Sequence, residues 1–125
     1  MTDGPRKKIL VVEDDPEIAL LLRKVLEKQY AVEHAGDGRA ALRVMEHPPQ
    51  PDLVIADVMM PQLDGISMVR FMKANPNLKK IPVIFLTAKT SSHDVISGIS
   101  AGAKHYITKP FKIDDVLKKV QSVIG

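Results

Sequence analysis

A chain of 125 residues with 45% hydrophobic and 26% charged side chains is long enough for one domain with a sizeable core and too short for two. It has no cysteine, which excludes a disulfide scaffold and a thiolate metal site, and it shows neither a signal-type apolar leader nor a run of about 20 apolar residues for a membrane span. The net charge of +3 is spread over separated lysine pairs, and two tyrosines, three phenylalanines and no tryptophan offer little for stacking bases. The expectation is a cytoplasmic protein with no membrane insertion and no direct nucleic-acid binding.

Residues 1–7 read as a tail and residues 8–125 as a single domain. The first apolar run, Ile9-Leu10-Val11-Val12, predicts a buried strand, and Glu13-Asp14-Asp15-Pro16 ends it. Asp15 suits a helix cap. Pro16 suits the first helical position, where its missing N–H would be unpaired anyway, and Glu17 favours the positive end of the helix dipole. Ile18, Leu21, Leu22, Val25 and Leu26 recur at helical spacing and carry this helix to about residue 28. Residues 30–35 alternate weakly, as an outer strand would. Gly36-Asp37-Gly38 makes a turn. A second helix occupies about 39–46, with Ala41, Leu42, Val44 and Met45 facing inward, until Pro48, Pro49 and Pro51 stop it.

Leu53, Val54, Ile55 and Ala56 form the continuous apolar run of a strand buried on both faces, and Asp57 stands where that run ends. Pro61 and Gly65 punctuate the stretch between this strand and the next helix. Ile66, Val69 and Met72 mark that third helix, ending near Asn75-Pro76, and Pro82-Val83-Ile84-Phe85-Leu86 a fourth strand with Thr87, Ala88 and Lys89 at its end. Ser91 or Ser92 can cap a fourth helix, thinly patterned by Val95 and Ile99, interrupted by Gly98 and terminated at Gly102. His105-Tyr106-Ile107-Thr108 is a short fifth strand closed by Lys109-Pro110. Ile113, Val116, Leu117, Val120 and Ile124 define the final helix.

Strand and helix alternate five times, and the inner strands are apolar throughout. This predicts a doubly wound α/β domain, a five-stranded parallel sheet with helices on both faces, for which we expect the flavodoxin-like order 2-1-3-4-5, one of the common orders of such folds. In that order the ends of strands one and three are neighbours. Glu13, Asp14 and Asp57 then share one crevice, with Thr87 and Lys109 delivered beside it.

Three carboxylates held together repel one another, so at least one should have a raised pKa unless a cation joins them. A divalent metal resolves this, and an all-oxygen donor set suits magnesium, for which manganese can substitute. Asp57 can attack a phosphoryl group while Lys109 and the Thr87 hydroxyl hold its charge, giving an aspartyl phosphate. Singly, Asp14 or Asp15 is an ordinary helix cap and Thr87 an ordinary strand-end residue. A purely structural design, however, has no reason to bring Glu13, Asp14 and Asp57 together. The four histidines, His34, His47, His93 and His105, have no ligand spacing and read as surface residues outside the crevice. An aspartate phosphatase of the haloacid-dehalogenase type needs a second acid where Met59 stands, and a flavin or nucleotide binder needs a Gly/Ser/Thr-rich loop where Glu13-Asp14-Asp15 would repel phosphate. An interaction module without phosphorylation remains as the alternative.

Over residues 8–124 the sequence resembles the receiver domains of two-component response regulators, of the stand-alone, chemotaxis-regulator type. Glu13-Asp14 resembles the family's acidic pair, Asp57 its phosphoacceptor, Asp64-Gly65 the turn into its third helix, Thr87-Ala88 its hydroxyl and small residue, and Lys109-Pro110 its lysine with a frequently cis peptide. The resemblance implies that Asp14 and Asp57 bind the metal directly, with the Met59 backbone carbonyl as a third ligand and Glu13 acting through water. It implies further that Thr87, Ala88 and Lys109 stabilise the phosphoryl group and that Tyr106 is a gate turning inward with Thr87, although its ring can also simply pack. Met59 and Lys89 occupy the positions that tune phosphoryl lifetime. The implied donor is a phosphohistidine on a sensor histidine kinase or a histidine phosphotransfer protein, and the receiver catalyses its own modification without being a conventional enzyme. The implied output passes to a downstream protein through the fourth helix, fifth strand and fifth helix, unless the chain is part of a longer regulator.

Overall fold

The computed structural model describes residues 6–88, 102 and 104–125, arranged as β1 (Lys8–Val12), α1 (Pro16–Leu26), β2 (Ala31–Ala35), α2 (Gly38–Met45), β3 (Leu53–Asp57), α3 (Gly65–Ala74), β4 (Val83–Ala88), β5 (His105–Lys109) and α4 (Ile113–Ile124). The C-terminal α4 is the fifth helix of the sequence pattern. The expected fourth helix and Lys89 lie outside the described residues.

All strand pairs are parallel, in the order β2-β1-β3-β4-β5, as the sequence pattern predicts. The central strand β3 is buried at every position, which is why Leu53 to Ala56 run apolar without alternating. Successive residues of each strand face opposite layers. Leu10, Val12, Val54, Ala56, Val83 and Phe85 meet α2 and α3 through Ala41, Met45, Met68, Val69 and Met72. Ile9, Val11, Leu53, Ile55, Ile84 and Leu86 meet α1 and α4 through Leu22, Leu26, Val116, Val120 and Ile124. Each fully buried aliphatic side chain of this kind contributes about 1.5–3 kcal/mol, so both layers are held by apolar burial.

Three aspartates start three helices. Asp15 accepts from the Glu17 and Ile18 N–H groups, Asp37 from Ala40 and Asp64 from Ser67. Each cap satisfies backbone donors that a helix start leaves without partners.

Several details depart from the sequence expectation. Leu21 is exposed and Ala19 is buried in its place, because the inward arc of α1 is centred on Ala19, Leu22 and Leu26. Ile18 and Val25 are only half-buried at its margin, as are Leu42 and Val44 on α2. Gly38 belongs to α2 rather than to the turn before it, since Asp37 is the cap. It has no room for a side chain, because a Cβ there would lie 2.6 Å from the Leu63 carbonyl oxygen. The fourth strand continues through Thr87 and Ala88, and the fifth includes Lys109.

Candidate functional site

Register decides which strand ends meet. Val12 pairs with Ala56, so Glu13, one residue past β1, lies beside Asp57, the last residue of β3. Asp57 in turn pairs with Leu86, which puts Thr87 one step further along β4, and Ala88 pairs with Lys109. Four strands therefore deliver polar groups to one sheet edge, at the switch between β1 and β3 where open α/β sheets bind ligands.

The carboxylate oxygens of Glu13, Asp14 and Asp57 lie within 4.8 Å of one another. Asp14 is exposed, whereas Glu13 and Asp57 are buried. Lys109 Nζ bridges the two buried acids, donating to Glu13 Oε1 at 3.1 Å and to Asp57 Oδ2 at 3.0 Å. The other oxygen of each accepts a backbone N–H, Glu13 Oε2 from Asp15 at 3.1 Å and Asp57 Oδ1 from Met59 at 3.2 Å. Both carboxylate planes are thereby fixed.

Burial pushes the Glu13 carboxyl up to about 7; the Asp57 charge adds to the rise, while the Asp15 N–H and the Lys109 ammonium oppose it. The cluster thus contains the raised acid that its composition implies. Burial alone would pull the Lys109 ammonium down, but its hydrogen bonds to Asp57 and Glu13 and their charges outweigh that and leave it raised. The lysine stays charged. Three carboxylates against one ammonium leave an excess of negative charge among oxygen donors only, which fits a hard divalent cation such as magnesium.

Beside the acids, Thr87 is buried and its Oγ1 has no hydrogen-bond partner among the described residues. The backbone below the site is equally tight. The Gly65 N–H donates to the Val58 carbonyl at 2.9 Å, and a Cβ on Gly65 would overlap the Asp57 carbonyl oxygen and come within 2.9 Å of Phe85 Cε1. Met59 exposes 69% of its surface and Tyr106 41%. The Lys109-Pro110 peptide is cis.

One neighbour of the site carries no mark in the sequence. His34, on β2, is exposed as expected of a surface histidine, but its Nε2 lies 2.8 Å from the backbone carbonyl oxygen of Glu13. No spacing rule marks such a contact, because it joins a side chain on one strand to the backbone just past the end of the next.

A doubly wound parallel sheet with an acidic pair after its first strand, an aspartate ending its third, and a hydroxyl and a lysine at the next two strand ends defines the receiver class of signalling domains. The model of the response regulator receiver domain matches residues 9–121, and the chain belongs to this family, the phosphoacceptor module of two-component systems. The DNA-binding response regulator MtrA of Mycolicibacterium smegmatis is 38% identical over 121 residues, covering 96% of this chain and 51% of MtrA. The chain spans about half the length of the curated relatives it matches. Among solved structures, the receiver domain of a signal transduction histidine kinase from Syntrophus aciditrophicus is 39% identical with a TM-score of 0.87, over 94% of this chain and 89% of that one. The receiver domain of sensor histidine kinase PA1611 from Pseudomonas aeruginosa, with a magnesium ion coordinated in its active site cleft, is 33% identical with a TM-score of 0.87, over 96% and 98%. No helix among the described residues is long and apolar enough to cross a membrane.

Proposed function

We propose that this chain is a phosphorylation-controlled switch in which Asp57 takes a phosphoryl group from a phosphohistidine on a sensor histidine kinase or a histidine phosphotransfer protein. The observation that carries this reading is the meeting of Asp57, two further acids and Lys109 at one sheet edge, beside a buried hydroxyl without a partner among the described residues. A carboxylate oxygen of Asp57 forms the new bond to phosphorus while the bond from phosphorus to the donor imidazole nitrogen breaks, and that nitrogen keeps the electron pair. Lys109, already 3.0 Å from Asp57, supplies positive charge to the transferring oxygens. Thr87 supplies a hydroxyl donor. A buried hydroxyl left unpaired costs about 1–3 kcal/mol, which an arriving phosphoryl oxygen would recover, and this ties the position of Thr87 to the phosphorylation state.

Asp14 and Asp57 would hold magnesium directly, with the Met59 backbone carbonyl as a third ligand and Glu13 acting through water; manganese can take the same oxygen donors. When bound, the ion offsets the repulsion among the acids and adds positive charge at the phosphoryl oxygens. On this reading the domain comprises residues 8–125 with residues 1–7 as a tail, acts in the cytoplasm and promotes its own phosphorylation. The signal leaves through the segment after Ala88, β5 and α4, where Tyr106 acts as the gate, toward a downstream protein. Met59 and Lys89 set how long the acyl phosphate lasts.

The test is a small phosphodonor added with magnesium to the purified chain, with mass spectrometry as the readout. A gain of one phosphoryl group on Asp57, absent from Asp57→Asn, is expected. No gain, or an equal gain in Asp57→Asn, would overturn the assignment.

A further inference from the structure

Asp14 is the exposed member of the acidic cluster, with no packing to hold its side chain, so the backbone on either side of it decides where that side chain starts from. Both flanking peptides are tied down. After Asp14, the Asp15 N–H donates to Glu13 Oε2 at 3.1 Å. Before Asp14, the Glu13 carbonyl accepts from His34 Nε2 at 2.8 Å, and one peptide further back the Glu13 N–H donates to the Ala35 carbonyl at 3.0 Å. A carbonyl oxygen only accepts, so Nε2 carries the hydrogen in this contact. The plane of the peptide joining Glu13 to Asp14 is therefore fixed by a side chain of β2, a strand that contributes none of the acids, the hydroxyl or the lysine.

We infer that His34 is a positioning residue for the metal site: by holding the Glu13 carbonyl it orients the acidic loop so that Asp14 presents its carboxylate toward Asp57. This rests on reading the acidic cluster as a magnesium site. Bulk hydrophobic packing has little stake in the contact, because His34 is exposed and belongs to neither apolar layer. Outer-shell partners that bond a ligand side chain are worth roughly 10–100-fold in metal affinity, and one that acts on a backbone carbonyl from an exposed position should be worth less, about fivefold.

The experiment is calorimetric titration of magnesium chloride into the metal-free full chain, into His34→Ala and into His34→Gln, with thermal melts of all three. Expected is about fivefold weaker magnesium binding in His34→Ala, an unchanged melting midpoint, and affinity restored in His34→Gln, whose amide N–H can reach the same carbonyl. The Asp14 amide resonance of the metal-free chain should also shift in His34→Ala and return in His34→Gln. Equal affinity in His34→Ala and the parent would overturn the inference, and so would a glutamine variant as weak as alanine or a loss of affinity that tracks a fall in midpoint. If the parent chain itself takes up no magnesium, the reading of the acidic cluster fails first and the inference falls with it.

Discussion

The two ends of the parallel sheet are built on opposite plans. At the amino end the charges are answered locally: Lys8 donates its N–H to Asp52 Oδ2 at 2.8 Å, its ammonium meets Glu33 and the Pro49 carbonyl at 2.7 Å, Arg6 reaches the Glu27 carbonyl at 2.6 Å, and Lys7 reaches that of Ile124. The carboxyl end gathers three acids, of which one lysine bridges two, with a raised carboxyl on Glu13 and a buried hydroxyl left unpaired among the described residues. Local consistency makes the first end a clamp. Inconsistency marks the second as the candidate site, since an added cation and an added phosphoryl group are the kinds of ligand that its acids and its hydroxyl would accept.

The largest break in this contrast should come from Gly65. Gly65→Ala places a methyl against the Asp57 carbonyl oxygen and near Phe85, two atoms fixed by the central strands, and should cost about 3 kcal/mol in chemical denaturation. A loss below about 1 kcal/mol would mean that the floor of the site yields easily.

Acidity tests the frustrated end next. The Glu13 carboxyl stands at about 7 in the fold against 4.5 for an ordinary glutamate, so between these values the folded chain keeps a proton that the unfolded chain releases. Its contribution to stability is complete below 4.5 and is lost as pH rises through 7. Measured as the difference between the metal-free chain and Glu13→Gln from pH 5 to pH 8, this slope should be visible, and magnesium should flatten it. A difference that does not vary with pH would remove the raised acid from the account.

Asp57→Asn keeps the shape of the side chain and removes one repelling charge. Lys109 keeps its bond to Glu13, and the metal-free variant should be about 1 kcal/mol more stable than the parent near pH 8. A marked loss in thermal melts would show that the Asp57–Lys109 pair stabilises more than the acids repel.

Much of this organisation is readable from residue types alone. Continuous apolar runs mark β1, β3 and β4 as inner strands, and once the common doubly wound order 2-1-3-4-5 is adopted for them, the convergence of Glu13, Asp14, Asp57, Thr87 and Lys109 on one edge follows. Where periodicity is degenerate, legibility stops. Three consecutive leucines, Leu20, Leu21 and Leu22, offer no pattern that says which one faces inward, and the packing of Ala19 and Leu26 selects Leu22. The contact from His34 to the Glu13 carbonyl has no sequence signature, because it depends on how two neighbouring chain segments end. A raised acid was foreseeable for the cluster but not for Glu13 in particular, since burial chose which carboxyl carried it.

The smallest expected effect lies at the clamped end and sharpens the comparison most. Asp52 receives the Lys8 N–H at 2.8 Å and returns its own N–H to the Lys8 carbonyl at 2.8 Å, so it fastens the start of β1 to the residue before β3. Asp52→Ala removes only the side-chain half of that exchange. The Lys8 N–H is near the surface and water can replace the carboxylate, so the cost should be below about 1 kcal/mol. Unlike the Glu13 effect, this cost should be the same at pH 6 and pH 8, with and without magnesium, and phosphorylation of Asp57 should proceed at the parent rate. Distant sites with no shared partner add independently, so Asp52→Ala combined with Asp57→Asn should sum within about 0.5 kcal/mol. A cost that depends on magnesium, or a sum that fails, would mean that the two ends of the sheet are energetically joined.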